Sequence, residues 1–205
     1  MSDHYYSAQP TSEHHFNEFT LEVRGVTLRM TTDAGVFSKN HLDTGTKILV
    51  QALPLQEDFQ TVLDLGCGYG PIGLTIAKLL PKTIVFMSDI NERAVELAVQ
   101  NAEVNKIENV TIKAGEGFKP FPGQKFDFIV TNPPIRAGKQ VIYPLVEEAY
   151  QALNIGGWLA AVIMTKQGAK SLEKKLSEVF GNVTEWEKES GYRVVASQKI
   201  KLPLF

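Results

Sequence analysis

A single cysteine, Cys67, excludes an internal disulfide and with it the disulfide-braced secreted folds. No apolar run approaches the length of a membrane-spanning helix. The first sixteen residues are polar and rich in His and Ser, without the apolar centre of a secretory leader. Neither sign of charge is in excess: 21 Lys and Arg against 23 Asp and Glu leave a net −2. There is no global basic field, so any nucleic-acid contact must be local. His4, His14 and His15 have no Cys or carboxylate at ligand spacing, read as solvated, and predict no metal site. The expectation is a soluble protein of a reducing cytoplasm, without membrane contact.

The chain has 205 residues, 43% of them hydrophobic, enough for one large α/β domain with a real core. Apolar and polar residues alternate on both sides of Arg24-Gly25, which predicts a β-hairpin. After the loop 35–41, Asp43 or Thr44 caps a helix that carries Ile48, Leu49, Val50 and Leu53 and ends at Pro54. From residue 61 short apolar runs alternate with amphipathic stretches. Strands are expected at 62–65, 83–87, 110–113, 126–130 and 158–164, and helices at 71–80, 92–105, 146–153 and 169–180. Pro144 blurs the start of the third of these helices. Two more strands, 183–186 and 193–200, follow without a helix between them, which predicts an antiparallel finish. The fold class is therefore α/β, a doubly wound and mostly parallel sheet with an antiparallel last strand. Residues 1–60 form an N-terminal extension of hairpin, loop and helix, packed on a catalytic domain at 61–205.

The turn Asp64-Leu65-Gly66-Cys67-Gly68-Tyr69-Gly70 closes the first of these strands and opens a helix. Gly66, Gly68 and Gly70 let the backbone bend sharply and approach a ligand closely. Asp64 departs from a dinucleotide site, because a carboxylate repels a pyrophosphate; it suits a cofactor bearing an ammonium and a sulfonium. Asp89 follows the second strand, where an acidic side chain accepts both hydroxyls of a ribose. Glu116, in Ala114-Gly115-Glu116-Gly117-Phe118, either contacts an adenine or lies on the loop surface. Cys67 is a small filler in the turn. In register on consecutive strands, Asp64, the glycines and Asp89 read as a seat for S-adenosyl-L-methionine.

Asn132-Pro133-Pro134-Ile135 follows the apolar run 126–131. As a bare motif it is an ordinary turn after a buried strand. Downstream of the glycine-rich turn it has a chemical meaning. The lone pair of an exocyclic amine is delocalised into its ring, so the nitrogen is a poor nucleophile. Accepting both N–H bonds favours a pyramidal nitrogen with its lone pair aimed at a donor methyl. An Asn side-chain oxygen and the next carbonyl are two such acceptors. Two prolines fix φ and remove two backbone donors, leaving a stiff loop dominated by acceptors. The pair of motifs reads as methyl transfer to an amino or amide nitrogen, with Asn132, Pro133 and Pro134 as the catalytic loop and Asn132 adjoining the cofactor.

These stretches resemble the small-subunit ribosomal RNA guanine-N2 methyltransferase C-type family, within the class I S-adenosylmethionine-dependent superfamily. The likeness runs from about residue 19 to residue 201. It is most specific at Gly35-Val36-Phe37-Ser38 with Leu42-Asp43-Thr44-Gly45-Thr46, at the glycine-rich turn, and at Asn132-Pro133-Pro134-Ile135-Arg136-Ala137-Gly138-Lys139. The last resembles the short, single-domain branch; longer relatives carry a second, degenerate copy of the domain upstream. The resemblance implies a seven-stranded, Rossmann-like sheet, methylation of guanine N2, Asn132 as the key substrate-side residue, and RNA as partner, either ribosomal RNA or the assembled small subunit. Ile135, on the substrate side, stands where many amino-methyltransferases carry an aromatic residue stacked on the target base, a contact of ~1–3 kcal/mol. Phe37 is the candidate to supply that stacking, or else a core anchor between hairpin and sheet. Arg136 and Lys139 either hold a phosphate or the guanine edge, or are solvated charges at a helix start. Lys39 and His41 are weaker candidates for RNA contact.

Two other enzyme classes share the chemistry. A protein glutamine N-methyltransferase also presents two N–H bonds to Asn-Pro-Pro, and adenine-N6 methyltransferases do the same. Enzymes of both kinds favour an aromatic residue after the prolines, and Ile135 argues against them. A binding module that kept only the fold is disfavoured by Asp64, Asp89 and Asn132 occurring together.

Overall fold

The computed structural model describes residues 13–36, 42–134 and 138–200. At the N-terminal end β1 (Asn17–Val23) and β2 (Val26–Thr32) form the expected hairpin. Arg24 and Gly25 both turn at positive φ, 51° and 75°, as a two-residue connection between twisted strands requires. The helix α1 (Thr44–Ala52) follows, and Asp43 caps it by accepting from the Thr46 amide at 2.9 Å. The alternating half of the chain gives β3 (Thr61–Leu65), α2 (Pro71–Leu79), β4 (Ile84–Asp89), α3 (Glu92–Val104), β5 (Val110–Ala114), β6 (Phe126–Thr131), α4 (Lys139–Ala152), β7 (Leu153–Met164), α5 (Ala169–Phe180), β8 (Thr184–Glu189) and β9 (Tyr192–Gln198).

Seven strands make one sheet in the order β5-β4-β3-β6-β7-β9-β8. The pairings from β5 to β7 are parallel, and β9 runs antiparallel to both its neighbours, as expected for the last strand. Strand alternation distributes side chains to two faces. Val62, Phe128 and Val130 join a core with α1, α2, α3 and the hairpin, while Leu63, Ile129 and Leu65 join a second core under α4 and α5. Each fully buried side chain of this size contributes roughly 1.5–3 kcal/mol. The strand order reverses between β3 and β6, and in such sheets the crevice beyond the carboxyl ends at that point receives the ligand.

The hairpin is fastened by two side chains one helical turn apart, on α3 and at its C-cap. Asn101 accepts from Thr31 N at 2.7 Å and donates to Thr31 O at 2.9 Å; Asn105 makes the same pair of bonds with Arg29 at 2.9 and 2.7 Å. The outer edge of β2 is thereby satisfied without another strand.

Most elements differ from the sequence expectation by a few residues at one end or the other, and some departures have a physical reason. The second sheet strand begins one residue later and runs to Asp89, so this carboxylate ends the strand rather than following it. The fourth helix starts at Lys139, and Pro144 lies inside it, where it has no N–H to offer the Gln140 carbonyl. The fifth parallel strand begins at Leu153 and contains Gly156-Gly157, which were expected to precede it. A Cβ on Gly157 would stand 2.9 Å from the Asp127 carbonyl, so glycine is what lets β7 pass the irregular pairing at Phe126/Phe128. Finally, a single 3-10 turn, Thr165–Gln167, precedes α5.

Candidate functional site

The loops after β3, β4, β5 and β6 open onto one cavity of about 470 Å³ at the switch point. That is within the usual size of a small-molecule site.

Its floor is the glycine-rich turn. Gly66 and Gly68 have φ of 75° and 57°, and a Cβ at either would meet nothing within 4 Å. They leave open space beside bare backbone, which suits close approach of a ligand. Gly66 N and Cys67 N donate to the Ser88 carbonyl at 2.8 and 2.9 Å, tying the turn to β4. Gly70 has a different task. A Cβ there would come within 2.9 Å of Leu74 and 3.1 Å of Met87, and at Gly73 within 2.8 Å of Met87. These two glycines bring α2 close to the sheet and lie behind the cavity wall.

Asp64 also lies behind the wall. It is fully buried, and its Oδ2 accepts from Gly73 N at 2.8 Å. Among the described residues its Oδ1 has no hydrogen-bond partner. Burial, opposed by the Gly73 bond and reinforced by Asp89, pushes this carboxyl up to about 7. An orphaned acid beneath the floor fits a cationic ligand above it.

Asp89 does line the cavity. One carboxylate oxygen accepts from Gly68 N at 2.8 Å and the other from Asn91 N at 2.9 Å. Burial raises its pKa, against the backbone bonds from Asn91, Gly68 and Ile90. Next to it Ile90, an apolar residue still 38% exposed, faces the cavity. Glu116 reaches the rim, where it pairs with Lys119 at 2.5 Å, and this partner holds its carboxyl below the ordinary range. The Cys67 thiol is buried and pushed well above its usual pKa by burial and then by Asp64 and Asp89, which makes it inert.

Val36 reaches the cavity from the segment after the hairpin. That segment is latched to α3: Asn91 donates to the Gly35 carbonyl at 3.0 Å and Arg93 to the Ala34 carbonyl at 2.7 Å.

Across the cavity, β6 delivers Asn132 and Pro134 to the opposite wall. The Asn132 carboxamide donates from Nδ2 to Asp43 Oδ2 at 3.2 Å and to Thr46 Oγ1 at 3.0 Å. A carboxylate only accepts, so the nitrogen must face α1 and the oxygen the other way. Thr46 shares the cavity wall. Gln140 and Val141 of α4 complete this side.

The structure thus brings Gly66, Gly68, Asp89, Glu116, Asn132 and Pro134 to one cavity, with Asp64 and Gly70 directly behind it. Pro133 packs beneath, in a small apolar hollow with Ile142 and Leu145. Lys139 is exposed at the first turn of α4. Phe37, Ile135 and Arg136, with Lys39 and His41, lie outside the described residues. Sequence reasoning missed Thr46, Asn91 and Ile90. Asn91 and Ile90 were within reach, since they adjoin Asp89 before a helix; Thr46 lay in the stretch 42–46 singled out by the resemblance, but only the fold shows that it meets Asn132. No helix among the described residues is long and apolar enough to cross a membrane.

Comparison with known proteins accords with this geometry. The family model described as methyltransferase small domain matches residues 27–196. The uncharacterized protein YbxB of Bacillus subtilis is 41% identical over 98% of this chain and all of its own length. Ribosomal RNA small subunit methyltransferase C of Hahella chejuensis is 38% identical over 66% of this chain and 40% of its own. Among solved structures, the T. thermophilus 16S rRNA N2 methyltransferase RsmC, in complex with AdoMet and guanosine, superposes with a TM-score of 0.82 at 25% identity. That match covers 93% of this chain and 52% of the other. The chain spans about half the length, or less, of these ribosomal RNA methyltransferases.

Proposed function

The chain belongs to the methyltransferase small domain family, class I enzymes that use S-adenosyl-L-methionine, and from that premise we propose that it methylates the exocyclic N2 of guanine in small-subunit ribosomal RNA. The observation that carries the reading is the Asn132 carboxamide at the cavity wall, its nitrogen tied to Asp43 and Thr46 and its oxygen directed away from them.

When bound, S-adenosylmethionine supplies a methyl group on a positively charged sulfonium. The chain's own residues do the rest. Asp89, which holds the glycine turn, would accept the ribose hydroxyls; Ile90 and Glu116 would flank the base; buried Asp64 would favour positive charge above the turn. Asn132 Oδ1 and the Pro133 carbonyl accept the two N–H bonds of the guanine amine, which aims its lone pair at the methyl and stabilises charge developing on nitrogen. Pro133 and Pro134 keep the loop stiff. The surplus proton leaves to water, so no side-chain base is needed. Arg136 and Lys139 flank this loop and hold the RNA backbone.

The substrate reading is supported by the likeness to RsmC and by Ile135, which does not fit the aromatic pattern of glutamine and adenine methyltransferases. The test is transfer of labelled methyl to RNA, free and in assembled small subunits, followed by nucleoside analysis. N2-methylguanosine is the expected product. Label in N6-methyladenosine or in protein glutamine overturns the proposal.

A further inference from the structure

Asp43 and Asn132 are far apart in sequence, yet one carboxylate oxygen of Asp43 collects three donors. Thr46 N reaches it at 2.9 Å, Thr46 Oγ1 at 3.3 Å and Asn132 Nδ2 at 3.2 Å. The first bond is the ordinary cap of α1. The other two go beyond capping. A carboxylate has no proton to give, so the Thr46 hydroxyl must point its proton at Asp43. That turns an Oγ1 lone pair toward Asn132, whose Nδ2 lies 3.0 Å away. Both neighbours of the carboxamide therefore act as acceptors, and only the NH2 end satisfies them. The polarity of the network has one solution. Its direction is set at Asp43, and the consequence appears at Asn132 Oδ1, which is turned away from both acceptors in a residue that lines the cavity.

We infer that Asp43, acting with Thr46, is a positioning residue for methyl transfer: it fixes the Asn132 carboxamide with its oxygen toward the acceptor amine. Without that polarity an asparagine at this site presents NH2 as readily as oxygen, and NH2 cannot accept a proton-bearing amine. A chain of bonds ending on a carboxylate also polarises the amide and makes Oδ1 the stronger acceptor. This inference rests on the proposed amine methylation, but the orientation itself can be observed without any substrate.

Asp43→Ser separates positioning from capping, because serine caps a helix about as well as aspartate while its short hydroxyl cannot hold Asn132. The expected result is a folded enzyme whose kcat falls on the order of tenfold to a hundredfold, the scale of a small misplacement of a reacting group. KM for RNA and affinity for S-adenosylmethionine should stay within about twofold of wild type, a range of only ~0.4 kcal/mol. Thr46→Val should lose activity in the same way, and Thr46→Ser, which keeps the hydroxyl, should recover most of it. Independently, side-chain amide NMR should show the Asn132 NH2 protected from exchange in wild type and unprotected in Asp43→Ser. If Asp43→Ser is folded with wild-type kcat, or if the wild-type Asn132 NH2 exchanges freely, the positioning role is wrong. If Asp43→Ser does not fold, the two Thr46 variants decide: equal activity in Thr46→Val and Thr46→Ser overturns the inference. Absence of N2-methylguanosine from the wild-type reaction, with the NH2 still protected, overturns the proposed function and leaves the orientation standing.

Discussion

The Gly68 amide donates to Asp89 Oδ2 at 2.8 Å, so the carboxylate at the end of β4 holds the middle of the glycine turn that ends β3. Two strands thus share one fastening at the cavity floor, and Asp89 is both the tie of the turn and part of the wall. Loss of the side chain would remove the proposed ligand contact and also leave the Gly68 amide without this acceptor, while Gly66 and Cys67 still tie the turn to the Ser88 carbonyl.

Asp89→Ala should therefore weaken S-adenosylmethionine binding by roughly tenfold to a hundredfold, the ~1.5–3 kcal/mol of hydrogen bonds to a charged group. It should also lower stability, by about 1–3 kcal/mol, because the amides of Gly68 and Asn91 lose their acceptors. Calorimetry and a denaturation curve measure the two effects. Unchanged affinity in a folded variant removes Asp89 from the cofactor site.

Asn132→Ala should lower turnover by on the order of a hundredfold or more, as for loss of one preorganised polar group, with cofactor affinity nearly unchanged. Asn132→Asp keeps the acceptors but sets a second carboxylate at the 3.2 Å separation from Asp43. Two carboxylates that close do not both ionise freely, and one pKa rises. Turnover of Asn132→Asp should then improve as pH falls, in steady-state assays where wild type does not. A wild-type-like pH profile for Asn132→Asp would sink the Asp43 contact.

Asp64 carries a stability prediction with a definite sign. Its folded pKa of about 7 lies above the ordinary 3.8, so between these values the native state holds a proton that the unfolded chain has released. Stability should fall as pH rises through this window, by up to about 1.4 kcal/mol per pH unit from this group. Asp64→Asn should remove that slope. Urea denaturation of both proteins at pH 5 and pH 8 reads it, and a gap between them that does not change with pH contradicts the assignment.

RNA contact should be local and sensitive to salt, since the whole chain is slightly acidic. Lys139 stands exposed at the start of α4. Replacing Arg136 and Lys139 together by Ala should weaken RNA binding and flatten its salt dependence, by about 0.7 in logarithmic slope per charge for single-stranded RNA. Affinity for S-adenosylmethionine should not move. Salt slopes equal to wild type would place the RNA contacts elsewhere.

Much of the fold was legible because local chemistry and tertiary packing demand the same thing. The runs at β3 and β6 are largely buried on both faces and read as mostly apolar strands, each interrupted by one aspartate, which is what a parallel sheet requires. Arg24-Gly25 marks its hairpin because few residue pairs turn that tightly, and Asp43 marks the start of α1 because a cap is a local bond. Misreadings fell where tertiary context outweighs local preference. Pro144 looks like a helix boundary but sits inside α4, and Gly156-Gly157 look like a break but lie within β7, where a Cβ on Gly157 would crowd the Asp127 carbonyl.

By itself, then, the sequence determined the layers, the two loops of the site and the kind of chemistry they serve, because spacing along the chain sets periodicity and turn geometry. It did not separate Gly66 and Gly68, which face open space, from Gly70 and Gly73, which face Met87; all four are the same residue on one turn and its helix. Nor did it disclose that the cap of α1 and the asparagine after β6 are hydrogen-bonded. That meeting depends on β6 lying beside β3 in the sheet and on α1 packing against β7, β8 and β9. Side-chain polarity at the site is set by which acceptors the packing brings within about 3 Å, and only the tertiary structure decides that.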